Sequence, residues 1–246
     1  MKKLLPLTLA LPLALIGSIQ AAVLLSDDFS SSTSGFGWAA ADPWESFNGQ
    51  AVTVGTGFMQ QSFRAFATPF NASGFDKLYI AFDFTQAGNG QAWGGASLFT
   101  SAAGGDEPIF IGDPDSPFST TSGDPSYGIV GGGNPVVNSN VAISGSTVRL
   151  IAELDFNASG TQSTYRLWVN STDIDNATAS ATGGSPIGTV SSIRLASDSN
   201  NGPVTYDNLV VGTSPADVGL AAVPEPTSIA LIGIAGAMLG LRRRRS

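Results

Sequence analysis

The chain has 246 residues, of which 19 are acidic and 11 basic, and it contains neither cysteine nor histidine. Without these two residue types it lacks disulfides, thiol chemistry, the base of the common catalytic triads and the commonest zinc ligand. Six basic residues lie in the first three and last five positions, so residues 22–225 carry a net charge of 5 − 19 = −14. Such a surface disfavours nucleic acid. It suits neutral glycans, cations, or simply solubility outside the cell.

Residues 1–21 predict a secretory signal peptide that forms an N-terminal helix. Two lysines precede an apolar run over residues 4–16, and small residues follow it. These are the three parts of a secretory signal. Two prolines interrupt the run and no amphipathic face is present, which disfavours a buried helix of the folded domain. Cleavage is predicted between Ala21 and Ala22.

Roughly 200 residues follow, enough for about one domain, and residues 22–213 predict an all-β fold. The segment VRLIAELDF (148–156) alternates between two faces, and TYRLWVN (164–170) alternates again after a turn-rich stretch. Alternation with one apolar face is typical of a half-buried antiparallel strand, and the two segments predict a hairpin. Short strands separated by glycine, proline, asparagine and aspartate favour a sandwich or a barrel. Further strands are predicted at 50–54, 62–67, 77–86, 94–101, 107–112, 192–197 and 205–212, with one or two more among the long loops of residues 102–140.

Three tryptophans are candidates for glycan contact. Trp168 alternates with Leu167 and should leave the core-facing side of its strand. There it would be either a sugar platform or a ring covered by a loop. Trp38 and Trp44 lie in a stretch rich in glycine, alanine and proline, which predicts a loop; a binding role is one interpretation and packing is the other.

Calcium is the one cofactor that the sequence suggests. Asp27 and Asp28 lie near the first predicted strand, and Asp207 and Asn208 lie on the last. These four residues would be neighbours if the terminal strands pair. Hard cations bind several oxygen ligands, including carboxylates and amides. The alternative for the last two residues is turn and edge chemistry. A second acidic loop is GDPDSP, residues 112–117.

Beyond the domain, residues 214–222 are small, contain proline and show no periodicity, so they predict a linker. The apolar run after it has thirteen residues, fewer than the roughly 20 of a spanning helix. Flanking residues and the arginine stems extend it, with the arginines on the cytoplasmic side. Four terminal arginines disfavour a buried C-terminal helix. The parts of residues 223–246 are, in order, Val223, Pro224, Glu225 and Pro226, the apolar run 229–241, and Arg242, Arg243, Arg244 and Arg245.

This order of parts closely resembles the PEP-CTERM sorting signal of Gram-negative bacteria. The resemblance implies recognition by an exosortase, a membrane cysteine protease that cuts near the Pro-Glu-Pro motif. It also implies an inner-membrane intermediate, held by the arginines as a stop-transfer anchor. The protein would then pass to the cell surface or the exopolysaccharide matrix.

A second resemblance covers much of the domain. The segments LWVN, SSIRL and YDNLVVGTS resemble laminin-G-like domains of the concanavalin A-like lectin/glucanase superfamily. The resemblance implies an antiparallel jelly roll, a fold that hosts lectins, glucanases and adhesins. Laminarinase-type members carry Glu-x-Asp-x-x-Glu. Here Glu153 and Asp155 begin the motif, but Ala158 stands at its third acid. The two acids are therefore expected to be exposed on the solvent side of the strand, without a catalytic partner.

The sequence thus predicts an exported, exosortase-sorted surface or matrix protein whose sandwich binds or organises exopolysaccharide without catalysis. The alternatives are a glycan-cleaving enzyme of the same superfamily and a purely structural matrix protein. The predicted partners are the exosortase, the secretion machinery, exopolysaccharide and, before processing, the membrane.

Overall fold

The computed structural model describes thirteen segments of the chain and contains, within them, fifteen strands and one short 3₁₀ helix. The predicted signal helix and the sorting tail lie outside these segments, as does Asp115. The described residues are 22–30, 38–40, 44–47, 50–53, 60–71, 77–86, 93–101, 106–114, 125–131, 136–156, 162–184, 188–197 and 204–222. The strands are β1 (Val23–Asp27), β2 (Trp38–Ala40), β3 (Trp44–Phe47), β4 (Gln50–Thr53), β5 (Gln60–Asn71), β6 (Lys77–Gln86), β7 (Gly94–Phe99), β8 (Ile109–Asp113), β9 (Ser126–Val130), β10 (Val137–Ala142), β11 (Val148–Asp155), β12 (Ser163–Val169), β13 (Ala179–Gly183), β14 (Thr189–Ser197) and β15 (Val204–Gly212).

These strands form two antiparallel sheets packed as a β-sandwich, which confirms the predicted all-β fold. The first sheet has the order β13-β12-β11-β6-β15-β4-β3, and β1 also pairs with β15. The second sheet has the order β10-β9-β8-β7-β14-β5-β2. Strands β9 and β10 are the two that cross the stretch predicted to be mostly loops.

The main core lies between the sheets and follows the alternation of the sequence. In the first sheet Leu150 pairs with Phe82 and Ala152 pairs with Ile80, and all four side chains are fully buried. The second sheet contributes Ile193 to the same cluster. Burial of apolar side chains from both sheets is the main stabilising term of such a fold. The alternate residues of β6 and β11 therefore point to the outer face of the first sheet.

The prediction of a linker at residues 214–222 is wrong, because this segment folds onto the sandwich. We call residues 213–222 the C-terminal strap. Its 3₁₀ helix, Pro215–Val218, begins with a capping box in which Ser214 and Asp217 each accept a hydrogen bond from the other's backbone amide. Gly219 ends the helix with a φ of 82°, a left-handed conformation that glycine adopts without steric cost.

The strap covers a second apolar cluster on the outer face of the first sheet, which we call the outer-face cluster. Its members come from β6, β11, β12 and the strap, and all are buried. Sequence alternation predicts the outward direction of the strand residues but not their cover, because the strap follows them by dozens of residues. The members are Tyr79, Ala81, Ile151, Trp168, Val218 and Leu220.

Among the described residues, no helix has the length and apolar character needed to cross a membrane.

Candidate functional site

The candidate site lies at a seam in the first sheet, where β15 changes its partner. Strand β6 pairs along one side of β15. On the other side β1 pairs with residues 209–212 and β4 pairs with residues 205 and 206. Between them, the register against β6 shifts and Asn208 adopts a φ of 49°. Asparagine tolerates this left-handed conformation, and such a bulge re-aims the side chains beside it.

An open cleft of about 720 Å³ lies at this seam, and we call it the polar cleft. It draws side chains from both sheets, since β5 belongs to the second sheet and β6, β11 and β15 to the first. Acidic, basic and amide side chains all line it. The lining residues are Ser26, Asp27, Asp28, Arg64, Asp83, Arg149, Asn208, Leu209 and Val210.

The centre of the polar cleft is a hydrogen-bonded network on the outer face of the sheet. Asp83 accepts hydrogen bonds from Nη1 of Arg149 at 3.1 Å and from Nδ2 of Asn208 at 2.8 Å. The same Nη1 donates to the backbone carbonyl of Asn208 at 2.8 Å. The side chains of Asp83 and Arg149 are 25% and 27% exposed to solvent. The network is therefore held in place yet open to a ligand that both donates and accepts hydrogen bonds.

The other wall of the polar cleft carries two aspartates of different character. Asp27 accepts from Nη1 of Arg64 at 2.7 Å and from the amide of Phe29 at 2.8 Å. This ion pair joins β1 to the second sheet. Asp28 is more exposed, and hydrogen bonds from Ser30 lower the pKa of its carboxyl. The carboxyl of Asp28 is thus an ionised acceptor at neutral pH.

The calcium ligands predicted from the sequence come together only in part. The terminal strands do pair, with Asp27 opposite Leu209. Asp27, Asp28 and Asn208 line one cleft, whereas Asp207 is not among its lining residues. No three acidic side chains within the described segments converge as a metal ion would require. Two of the cleft's carboxylates are instead neutralised by arginines. Calcium binding by the four predicted residues therefore stays a prediction, with Asp207 outside the lining of the cleft.

In the second acidic loop, the described acid is Asp113, and its carboxylate is not open to solvent. Asp113 is buried and accepts a hydrogen bond from Nε2 of Gln86 at 2.8 Å. Tyr127 packs in the same interior. Burial, together with the charge of Asp113, raises the pKa of Tyr127 to about 12. Asp113 is part of the interior of the sandwich.

The interpretation of Trp168 as a sugar platform is wrong. The ring points outward from its strand as expected, but the outer-face cluster buries it completely. Its Nε1 donates to the backbone carbonyl of Asp173 at 2.7 Å, which satisfies the polar atom of the buried ring. Trp38 begins β2 and Trp44 begins β3, so both lie on strands and not, as predicted, in a loop. Their glycan contacts remain a prediction, because their side chains lie outside the described part of the structure.

The prediction that Glu153 is exposed on the solvent side of its strand is also wrong. The residue is buried, and its carboxylate accepts hydrogen bonds from Lys77 at 3.1 Å, Tyr79 at 2.8 Å and Arg166 at 2.8 Å. Burial and the bond to Glu153 raise the pKa of Tyr79. Asp155 pairs with Lys77 at 3.4 Å. The carboxylate of Glu153, the first acid of the incomplete Glu-x-Asp-x-x-Glu motif, is thus hydrogen-bonded to three donors.

Sequence reasoning missed three charged residues of the polar cleft: Arg64, Asp83 and Arg149. A signal for two of them exists, since Asp83 and Arg149 occupy outward positions of strongly alternating strands. Their pairing depends on the register of β6 against β11, in which Arg149 lies opposite Asp83. The contribution of Arg64 depends on how the two sheets meet, which alternation within one strand does not specify.

Residues 222–245 match the PEP-CTERM protein-sorting motif. The match confirms the resemblance found from the Pro-Glu-Pro motif, the apolar run and the terminal arginines. It implies export and a membrane-anchored intermediate. Comparison with curated protein sequences gave no significant match.

The chain is similar in fold to several solved structures. The globular domain of T. cruzi calreticulin is 10% identical, with a TM-score of 0.57, and the alignment covers 78% of this chain and 89% of that one. The CBM2 module of the evolved Dit protein of Lactobacillus casei BL23 phage J-1 is 10% identical, with a TM-score of 0.52 and coverages of 78% and 96%. The Emp47p carbohydrate recognition domain is 12% identical, with a TM-score of 0.49 and coverages of 80% and 98%. At these identities the similarity shows the fold alone, and the first two structures agree with the antiparallel β-sandwich predicted from the sequence.

Proposed function

We propose that the chain is an exported, exosortase-sorted protein of a Gram-negative cell surface or extracellular matrix, whose sandwich binds exopolysaccharide without catalysis. The sorting part is supported by the motif match over residues 222–245. The binding part rests on one observation, the open polar cleft built around Asp83, Arg149 and Asn208. Fixed donors and acceptors in an open cleft suit the hydroxyl groups of a sugar.

The charge of the domain favours a neutral glycan. Its net charge is −14 over residues 22–225, and each of its five basic side chains already forms an ion pair with an acid. An acidic polysaccharide would meet repulsion without a surplus cation to offset it. If the polymer is acidic, calcium would have to bridge it to the acidic groups of the protein. This is the role that we propose for calcium. The five ion-paired residues are Arg64, Lys77, Arg149, Arg166 and Arg194.

The absence of catalysis is supported by the position of the acids. Retaining glycosidases need two carboxyl groups about 5–5.5 Å apart on either side of the scissile bond. Glu153 is buried under three donors, and Ala158 replaces the third acid of the laminarinase-type motif. In the polar cleft, Asp27 and Asp83 each pair with an arginine.

The test is co-sedimentation of residues 22–222 with the host's own exopolysaccharide, with and without a calcium chelator. The fragment ends after the strap because the strap is part of the fold. We expect saturable binding that survives chelation. Loss of binding with the chelator would instead indicate a calcium-bridged acidic polymer. The absence of binding in both conditions would leave a structural matrix protein, and release of reducing sugar would indicate an enzyme.

Two arginine variants assign the binding to the polar cleft. Arg149 and Arg166 both lie on the outer face of the same sheet and both pair with an acid. We expect Arg149→Gln to weaken glycan binding at least tenfold, or about 1.4 kcal/mol, because it removes a donor of the cleft. The matched control, Arg166→Gln, should bind as the unchanged protein does. Equal effects of the two variants would place the glycan elsewhere.

A further inference from the structure

The C-terminal strap ends where the sorting motif begins. The amide of Ala221 donates to the carbonyl of Thr172 at 3.0 Å, and its carbonyl accepts from the amide of Ile174 at 3.2 Å. These bonds form a parallel bridge between Ala221 and Asp173. The motif match starts at residue 222. Both main-chain groups of the residue before the motif are therefore already bonded to the sandwich.

The strap is fixed along its whole length. At its start the amide of Thr213 donates to the carbonyl of Ala22 at 3.2 Å. In the middle, the amide of Leu220 donates to the carbonyl of Pro215 at 2.9 Å, a bond that holds the turn of the strap itself. Val218 and Leu220 are each only 3% exposed within the outer-face cluster. Apolar burial and main-chain bonds thus oppose detachment of the strap.

The covalent chain leaves little slack between this anchor and the motif. Pro224 follows Ala221 by three residues, and an extended chain spans at most about 3.6 Å per residue, or roughly 11 Å in all. A protease that binds its substrate as an extended strand uses the main-chain groups around the cut. Those of Ala221 are occupied by Thr172 and Ile174. The folded sandwich consequently competes with the protease for the residues next to the motif.

We propose that the strap is a gate for sorting: the exosortase gains full access to the motif only when residues 213–222 detach from the sandwich. This proposal rests on the proposed exosortase processing of the chain. When a segment opens and closes faster than it is cut, the rate of cleavage follows the population of the open form. The stability of the strap on the outer-face cluster therefore sets the rate at which the tail is removed.

A disulfide clamp tests the gate directly. The chain has no cysteine of its own, so Asp173→Cys with Ala221→Cys creates a single pair. Neighbouring strands lie about 4.8 Å apart, within the Cα separation that a disulfide spans. The full-length chain is expressed in its host, and removal of the tail is followed by the loss of a C-terminal epitope. We expect the clamped chain to be processed at least tenfold more slowly, and each single-cysteine variant within twofold of the unchanged chain.

A flexible insertion separates gating from misfolding. Eight glycine and serine residues inserted between Ala222 and Val223 move the motif away from the anchor. We expect this insertion to restore fast processing to the clamped chain. Leu220→Ser should speed processing several-fold in the chain without the clamp, because it loosens the strap. Its matched control is Val136→Ser, a change at a residue that is 56% exposed, which should have no effect.

Two outcomes overturn the gate while leaving the sorting function intact. One is a chain with a verified disulfide that is processed at the normal rate. The other is a clamped chain that stays slow after the insertion, since the clamp would then act by damaging the fold. An unchanged chain that keeps its tail in a host with active exosortase would overturn the proposed sorting, and the gate with it.

Discussion

Two charged networks lie on the outer face of the first sheet, and they differ in access far more than in composition. Both join acids and basic residues across β6 and β11. The side chain of Glu153 is only 2% exposed and accepts hydrogen bonds from three donors. The side chain of Asp83 is 25% exposed and lines an open cleft. The same chemical groups therefore serve structure in one place and are available to a ligand in the other.

The position of each network relative to its neighbours explains this difference. Glu153 receives a hydrogen bond from Tyr79, which belongs to the outer-face cluster covered by the strap. Asp83 lies at the seam where β1 gives way to β4 along β15. The acid of the first network is buried beside this covered cluster, and a change of strand partner opens the second network. Three variants, ordered by their expected cost in the free energy of unfolding, test this comparison.

The largest effect is expected from Trp168→Ala, which removes the centre of the cover. The change creates a cavity in the outer-face cluster and deletes the bond from Nε1 to Asp173. Replacement of a buried aromatic side chain by alanine costs about 3–5 kcal/mol. Urea unfolding of residues 22–222 measures it, with Val136→Ala as the exposed control. A loss smaller than about 1 kcal/mol would show that the strap does not pack against the ring as described.

A smaller but clear effect is expected from Glu153→Gln. The amide keeps the shape of the side chain but leaves Lys77 and Arg166 without their shared negative partner. Hydrogen bonds to a buried charge contribute about 1.5–3 kcal/mol each, and the two cations regain part of this from solvent. We expect a net loss of about 2 kcal/mol by the same urea assay. Unchanged stability would contradict a structural role for this acid.

The strands could be predicted from the sequence where burial follows a simple period. Lys77–Gln86 coincides with its predicted strand, and Val148–Asp155 differs from its prediction by one residue. Strand β13, Ala179–Gly183, was missed, because this short edge strand of small and polar residues has no apolar face. The strap was missed because its order comes from a capping box and from two buried side chains. That pattern resembles a linker until its binding surface is known.

Only the part of the candidate site that depends on strand pairing could be predicted from the sequence. Pairing of the terminal strands correctly brought Asp27 near Asn208. The two arginines that neutralise Asp27 and Asp83 come from β5 and β11, and their approach depends on tertiary packing. Trp168 shows the same limit, since its outward direction was right and its cover was not foreseen. A period of two assigns a face to each residue but does not assign what lies against that face.

The smallest effect on stability is expected from Asp83→Asn, the counterpart of the Glu153 variant in the open network. Partly exposed ion pairs contribute about 0–1 kcal/mol, and the amide oxygen still accepts a hydrogen bond from Arg149. We therefore expect a loss below about 1 kcal/mol, measured by urea unfolding.

The salt dependence of the two stability losses distinguishes the networks more sharply than the losses at a single salt concentration. At 1 M salt the Debye length is about 3 Å, and exposed charges are screened far more than buried ones. The cost of Asp83→Asn should therefore shrink towards zero in 1 M sodium chloride, while that of Glu153→Gln should largely persist. Because the ion pair of Asp83 with Arg149 contributes little free energy, a sugar hydroxyl can compete for its donors and acceptors. A cost of Asp83→Asn that matched that of Glu153→Gln at both salt concentrations would mean that the cleft is as closed as the buried network, and its assignment to a ligand would fail.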